Sequence, residues 1–258
     1  MSISHNYRQL RVAGAALTAL LLMTLVFHYT PSLNNQRTIR EIFHWFLVFG
    51  LIASYVKGYL ALAALPSSPQ VRRLIVCFAG AFLLISILTN AFQSIDVRCY
   101  VNLGWMQTHY HLNPYTVTIS EIPGWRDDPM FYPEWVYNPT AYGFLFSWLA
   151  SGICLAGNGN YWVSILLFKL LNAGVAALTA LVLWHGCKRL NLTNPELVLY
   201  LFLWSPLLLI HGIANAHNDV LMAFFTIAGL YLAIRGNCLF VLPTLMLGVL
   251  IKYGSAVI

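Results

Sequence analysis

Residues 93–142 read QSIDVRCYVNLGWMQTHYHLNPYTVTISEIPGWRDDPMFYPEWVYNPTAY, and long apolar runs flank them on both sides. Five of the chain's eight acids (Asp96, Glu121, Asp127, Asp128 and Glu134) fall here, beside only two bases, Arg98 and Arg126. A chain that is apolar elsewhere and gathers its scarce carboxylates among Trp, Tyr and Pro marks a place for chemistry or recognition. The plainer alternative is a solvated connector, but this stretch is too long and too aromatic for a simple hairpin.

The surrounding composition sets the class. Of 258 residues, 59% are hydrophobic and 9% charged, where soluble domains run to about half and a quarter. Long apolar runs with little charge predict membrane-spanning helices rather than a barrel of alternating strands. A net charge of +6 fits basic cytosolic loops. No basic patch interleaved with aromatics is present, and no nucleic-acid partner is expected. Cys77, Cys99, Cys154, Cys187 and Cys238 are scattered, odd in number and without a CxxC. They point to neither a metal site nor a disulfide framework; Cys99 and Cys154 are the pair able to meet on the outer side.

Seven spans are expected, over about 12–27, 42–65, 74–92, 161–185, 196–212, 217–235 and 238–258. The first lacks a small-x-small cleavage site and more spans follow, so it reads as a retained helix rather than a signal peptide. Placing Arg8 and Arg11 inside puts Arg72 and Arg73 inside and the acidic stretch outside; Arg37 and Arg40 run against the rule. Lys188, Arg189 and Arg235 fall inside only if one of 139–156 and 161–185 crosses. The former, interrupted by Gly143, Ser147, Ser151 and Gly152, reads as a helix at the outer interface. The expected fold is therefore all-α: one polytopic transmembrane helical bundle over 1–258, with 93–160 as its extracytoplasmic catalytic region carrying juxtamembrane helices. The apolar end at Ile258, without flanking charge, suggests a longer parent chain.

Asp96 follows the third span by a few residues, at the lip of the bilayer. It is either a catalytic carboxylate or the N-cap of an interfacial helix over VRCYVNLGWMQT, where Val97, Tyr100, Val101, Trp105 and Thr108 recur at helical spacing. Pro114 keeps Asn113 out of that helix. A second cluster, Asn215, His217, Asn218 and Asp219, sits in a short break between two apolar runs. Capping explains one such residue, while a helix N-terminus with His217 beside it attracts an anion. Lys252, next to Tyr253 near the outer end of the last run, either pairs with a phosphate or snorkels; Lys169 is a weaker candidate for the same role. His109 and His111 point in different directions on a helix and no third ligand stands out, so no metal is expected. The Asp127-Asp128 pair reads as a solvated turn, and the sequon at Asn191 falls in the cytosol.

Asp96, Tyr100, Gly104 and Asn113-Pro114-Tyr115, in that order after a span, resemble the membrane glycosyltransferases of the GT-C fold. Bacterial polyprenol-phosphomannose-dependent alpha-mannosyltransferases are the nearest of these. NPTAYGFLF (138–146), SPLLLIHGIANAHNDVLM (205–222) and LIKYG (250–254) resemble later stretches of that family, so the likeness covers about 90–258. Where the family carries Gly before its HND this chain has Ala216, and its YGP is here Tyr142-Gly143-Phe144. The resemblance implies a multi-pass protein of the bacterial plasma membrane that needs no cofactor. It would move a mannose-like hexose, with inversion, from a polyprenyl-phosphate sugar donor to a glycan or lipid acceptor on the extracytoplasmic face. Asp96 is the implied general base, with Arg98 as its counter-charge. Arg98, Tyr100, Asn113, Tyr115, His217, Asn218, Asp219, Lys252 and Tyr253 are the implied substrate-binding residues, Lys252 with Arg98 or His217 stabilising the leaving lipid phosphate. Membrane lipid is the remaining partner. The alternative is a membrane transporter or lipid flippase, in which polar breaks mark a midplane site; against it, the polar clusters lie at one face and no internal repeat occurs. Convergence of Asp96, Asp219 and Lys252 on one cavity distinguishes an enzyme from a scaffold.

Overall fold

The computed structural model describes residues 2–31 and 36–253. Helices dominate, and no strand occurs among the described residues. Three long helices come first: α1 (Ile3–His28), α2 (Arg37–Ala63) and α3 (Pro69–Leu88). Next come α4 (Asp96–Thr108), an irregular stretch with 3-10 turns at Ile119–Glu121 and Trp125–Asp127, α5 (Phe144–Ala156) and α6 (Tyr161–Arg189). They are followed by α7 (Pro195–Leu203), a π-helix (Leu208–Ala214), α8 (Asp219–Ile234) and α9 (Cys238–Ile251). Several starts are written in the sequence. Ser68 Oγ accepts the Val71 N–H at 3.3 Å with Pro69 in the first turn, and Asn194 Oδ1 accepts the Leu197 N–H at 3.2 Å with Pro195 behind it.

Four helices, α1, α2, α3 and α6, are each long and apolar enough to cross a membrane. A fifth candidate, α7 with the π-helix, is bent by 55°. The continuous span expected over 196–212 is corrected here. Pro206 has no N–H to give and crowds the preceding turn, so α7 stops at Leu203 and the backbone resumes with wider winding. At 1.5 Å per residue the 13 residues of α5 cover only about 20 Å, short of a bilayer core of about 30 Å; α8 and α9 are also short. Ile42, Phe46, Phe49, Leu60 and Leu84 are each more than half exposed. Outward-facing apolar side chains in such number are stable in lipid, not water, and the chain is a multi-pass membrane protein.

The chain divides into two compact units. One comprises the residues up to Phe92 together with Ala180–Ala214, and the other Gln93–Thr179 with the residues from Asn215 onward. The first unit has a large aliphatic and aromatic core: Leu10, Leu17, Leu51, Ile75 and Phe82 are almost fully buried, and in lipid such a core is held by close van der Waals packing rather than by transfer out of water. Trp204 stands edge-on to Phe78 and Phe82, and its indole N–H donates to the Ile75 carbonyl at 3.1 Å.

In the second unit α4 packs on α5, and α9 packs on both α8 and α5. Gly104 permits the first of these contacts: a Cβ there would collide with the Ala150 carbonyl oxygen and Cys154 Sγ. At Gly143 a Cβ would collide with the Leu250 carbonyl oxygen. The irregular stretch has a core of its own, in which Met106, Ile119, Ile122, Trp125, Phe131 and Val136 are buried. The helix expected after Asp96 forms, but it does not lie on a surface. Val97, Tyr100 and Val101 are fully buried, because Gly104 lets α5 cover that face. Cys99 and Cys154 are free thiols; Cys154 Sγ donates to the Val101 carbonyl at 3.5 Å.

Candidate active site

Asp96 opens α4. Ile95 holds the N-cap position and Ser94 Oγ accepts the Asp96 N–H at 3.2 Å, so Asp96 is not the N-cap that the sequence offered as its alternative role. Its carboxylate sits in the first turn, at the positive end of the helix, and turns towards His217. His217 Nδ1 lies 3.3 Å from Asp96 Oδ2 and 3.6 Å from Asp219 Oδ2. Both carboxylates thus face the same imidazole nitrogen. Lys252 Nζ donates to Asp219 Oδ1 at 2.8 Å. Three separate parts of the chain thus supply one array of carboxylate, imidazole, carboxylate and ammonium.

The backbone around His217 is held tightly. Asn172 Nδ2–H donates to the His217 carbonyl at 2.8 Å, and the Asn218 N–H donates to the buried Tyr100 hydroxyl at 3.3 Å. Ala216 adopts φ +53°, a left-handed conformation that suits glycine. The Asn218 side chain is buried, yet neither of its amide atoms has a hydrogen-bond partner among the described residues, and it does not cap α8.

Asp96 and Lys252 line a cavity of about 610 Å³ together with Cys99, Glu134, Trp135 and Tyr142. That volume lies within the range of small-molecule sites. Burial, and next the Asp96 charge, push the Cys99 thiol up to about 12. Burial also raises the Tyr142 phenol well above its ordinary value, reinforced by Asp96, and it raises Tyr100 likewise, reinforced by Tyr142. These three groups stay protonated at neutral pH, and the carboxyl groups of Asp96 and Glu134 stand beside them on the cavity wall. A carboxylate beside an imidazole, at the edge of a cavity that also presents an ammonium, can take a proton from a hydroxyl and stabilise a departing anion.

Other residues singled out in the sequence have different surroundings. Arg98 lies over the Tyr132 ring at 4.6 Å, and His217 is a basic group 3.3 Å from Asp96 that the sequence reading does not pair with it. Asn113 Oδ1 accepts the Tyr115 N–H at 3.0 Å, and the Tyr115 hydroxyl donates to the Tyr142 carbonyl at 3.0 Å; both shape the loop that carries the cavity wall. Tyr253 is half-exposed next to Lys252. Lys169 is buried, one turn before Asn172. His109 stacks on Trp105 at 4.3 Å. Asp128 is not the solvated turn residue expected: it accepts from Trp105 Nε1, Tyr110 Oη and the Met130 N–H, each at 2.8 Å. Burial works to raise its carboxyl, but these donors outweigh burial and hold it below its ordinary value. Burial and then Asp128 push the Tyr110 phenol up to about 12. Glu134, Trp135, Asn138 and Tyr142 were not among the candidates. Their signal, the dense EWVYNPTAY at the end of the opening stretch, was visible but could not be assigned to a cavity wall without the fold.

The chain is a helical membrane protein that carries this polar array beside a cavity. It belongs to the family described as alpha-(1->6)-mannopyranosyltransferase, N-terminal domain, which matches residues 7–258. The chain is similar to alpha-(1->6)-mannopyranosyltransferase A of Corynebacterium glutamicum (strain ATCC 13032), with 25% identity over 174 residues, covering 66% of this chain and 34% of the relative. It therefore spans about a third of the length of that relative. No solved structure matches.

Proposed function

We propose that this chain is the catalytic N-terminal part of a membrane mannosyltransferase of the GT-C type with seven spanning helices. It transfers a mannose-like hexose from a polyprenyl-phosphate sugar to a glycan or lipid acceptor on the extracytoplasmic face. One observation carries the reading: Asp96, His217, Asp219 and Lys252 form one array, of which Asp96 and Lys252 line a cavity, in a chain of a mannosyltransferase family. Asp96 takes the proton from the acceptor hydroxyl, whose oxygen then attacks the anomeric carbon and inverts it as the lipid phosphate departs. His217 fixes the carboxylate and Lys252 supplies positive charge towards the phosphate, while Asp219 holds Lys252 in place.

The test is incubation of membranes containing the protein with a panel of labelled polyprenyl-phosphate sugars. Release of lipid phosphate from the mannosyl donor, coupled to appearance of an inverted mannoside, is expected. No release from any donor would refute the reading.

A further inference from the structure

Trp135 stands apart from the chain's other exposed aromatics. Trp45, Trp148 and Trp162 are also more than half exposed, but they ride on α2, α5 and α6, as interfacial anchors do, and none of them lines the cavity. Trp135 is 63% exposed and does line it. Its φ of +59° is a left-handed value rarely adopted by a bulky aromatic residue, and strain of this kind persists only where the surroundings impose it.

The surroundings do so on both sides. Val136, the next residue, is buried in the loop core, and its carbonyl accepts the Ser120 N–H at 3.0 Å. The Trp135 carbonyl accepts the Asn138 N–H at 3.4 Å, and the Thr140 N–H donates to the Pro114 carbonyl at 2.9 Å. Further along, the Gly143 N–H donates to the Ile251 carbonyl at 3.1 Å, next to Lys252. The backbone that carries this indole is thus held, and the indole is left uncovered on the wall of a cavity that also presents Asp96 and Lys252. Glu134 and Asn138 flank it on the same wall.

This is the chemistry that recognises a pyranose. The C–H face of a sugar ring lies on the electron-rich face of an indole, while a carboxylate and a carboxamide at the edge bind hydroxyls. We infer that Trp135, with Glu134 and Asn138, forms a subsite for a hexose of the glycan acceptor, presenting its hydroxyl towards Asp96. The choice of sugar rests on the transferase reading above; the subsite itself rests on the wall's geometry.

Binding, rather than turnover, separates the two. Saturation-transfer NMR with a soluble alpha-(1->6)-linked mannooligosaccharide is applied to the purified protein in detergent. The wild type should show contact, and Trp135→Ala should raise the dissociation constant at least about tenfold, the loss typical of an aromatic hot spot. Trp135→Phe should stay within a few-fold, and Trp148→Ala should match the wild type. No contact in the wild type, or equal affinity in Trp135→Ala, overturns the subsite. A Trp135→Ala protein that only inserts poorly into membranes, with unchanged affinity, makes the residue an interfacial anchor and also overturns it. Intact oligosaccharide binding without sugar transfer from any donor would instead refute the proposed function and leave the subsite standing.

Discussion

The two units of this chain spend their residues differently. In the first, polar side chains tie segments distant in sequence together: the Tyr200 hydroxyl donates to the Tyr55 carbonyl at 2.6 Å, and Ser67 Oγ donates to the buried Glu196 at 2.6 Å. Its backbone is mostly long regular helix around a continuous apolar core. In the second, His111, Trp135, Asn158 and Ala216 all adopt positive φ, where Asn191 alone does so among the described non-glycine residues of the first. The charged array and the cavity also belong there. Strain and exposed charge cost stability, and a fold tolerates them where function needs them. The contrast teaches that the first unit concentrates regular packing and the second concentrates strain and charge, as the proposed function requires.

Substitutions in the two units should therefore fail differently. The largest stability loss is expected at Trp204 in the first unit. Trp204→Ala should cost about 3–5 kcal/mol by thermal melting in detergent, while the activity of the remaining folded protein stays close to normal. A mutant that melts normally but has lost turnover would break the contrast. Asp128→Asn comes next, because it weakens three hydrogen bonds to a carboxylate in the second unit; the expected cost is about 1.5–3 kcal/mol. The carboxyl is depressed, so its contribution is fully present above the unfolded-state value near ~3.9 and disappears as pH falls through the lower folded value. Melting curves of wild type and mutant should differ at neutral pH and converge on acidification; a gap that persists in acid contradicts this assignment. The smallest effect is expected for Ala216→Gly. Relief of a left-handed alanine, about 1–2 kcal/mol, is offset by the entropy of glycine, about 0.5–1 kcal/mol. A melting point equal to or slightly above that of the wild type should result, and a large loss would mean that the Ala216 methyl packs something essential.

Much of the first unit was legible in the sequence, because long apolar runs with Ser-Pro and Asn-Pro starts leave helices few alternatives. The bend after Leu203 was missed although Ser205-Pro206 marks it, since a hydropathy pattern averages over one proline. In the second unit the gathering of carboxylates and the position of Asp96 after a span were readable from composition and order alone. Its partnerships were not. His217 meets Asp96 across more than a hundred intervening residues, and Arg98, two residues from Asp96, turns to Tyr132 instead. Local spacing carries no information about such contacts. Asp128 looked like a turn residue because its donors, Trp105 and Tyr110, sit on and just after a helix whose orientation the sequence leaves open.

The central claim is that Asp96 is a catalytic base and not a structural residue of α4. Asp96→Asn, in the full-length protein, keeps the size and hydrogen-bonding capacity of the side chain but removes the basic site. The account predicts that turnover of the mannosyl donor falls by roughly 10²–10⁴-fold, with donor binding and melting temperature close to those of the wild type. Near-normal turnover at normal expression would contradict it and return Asp96 to a structural role at the start of its helix.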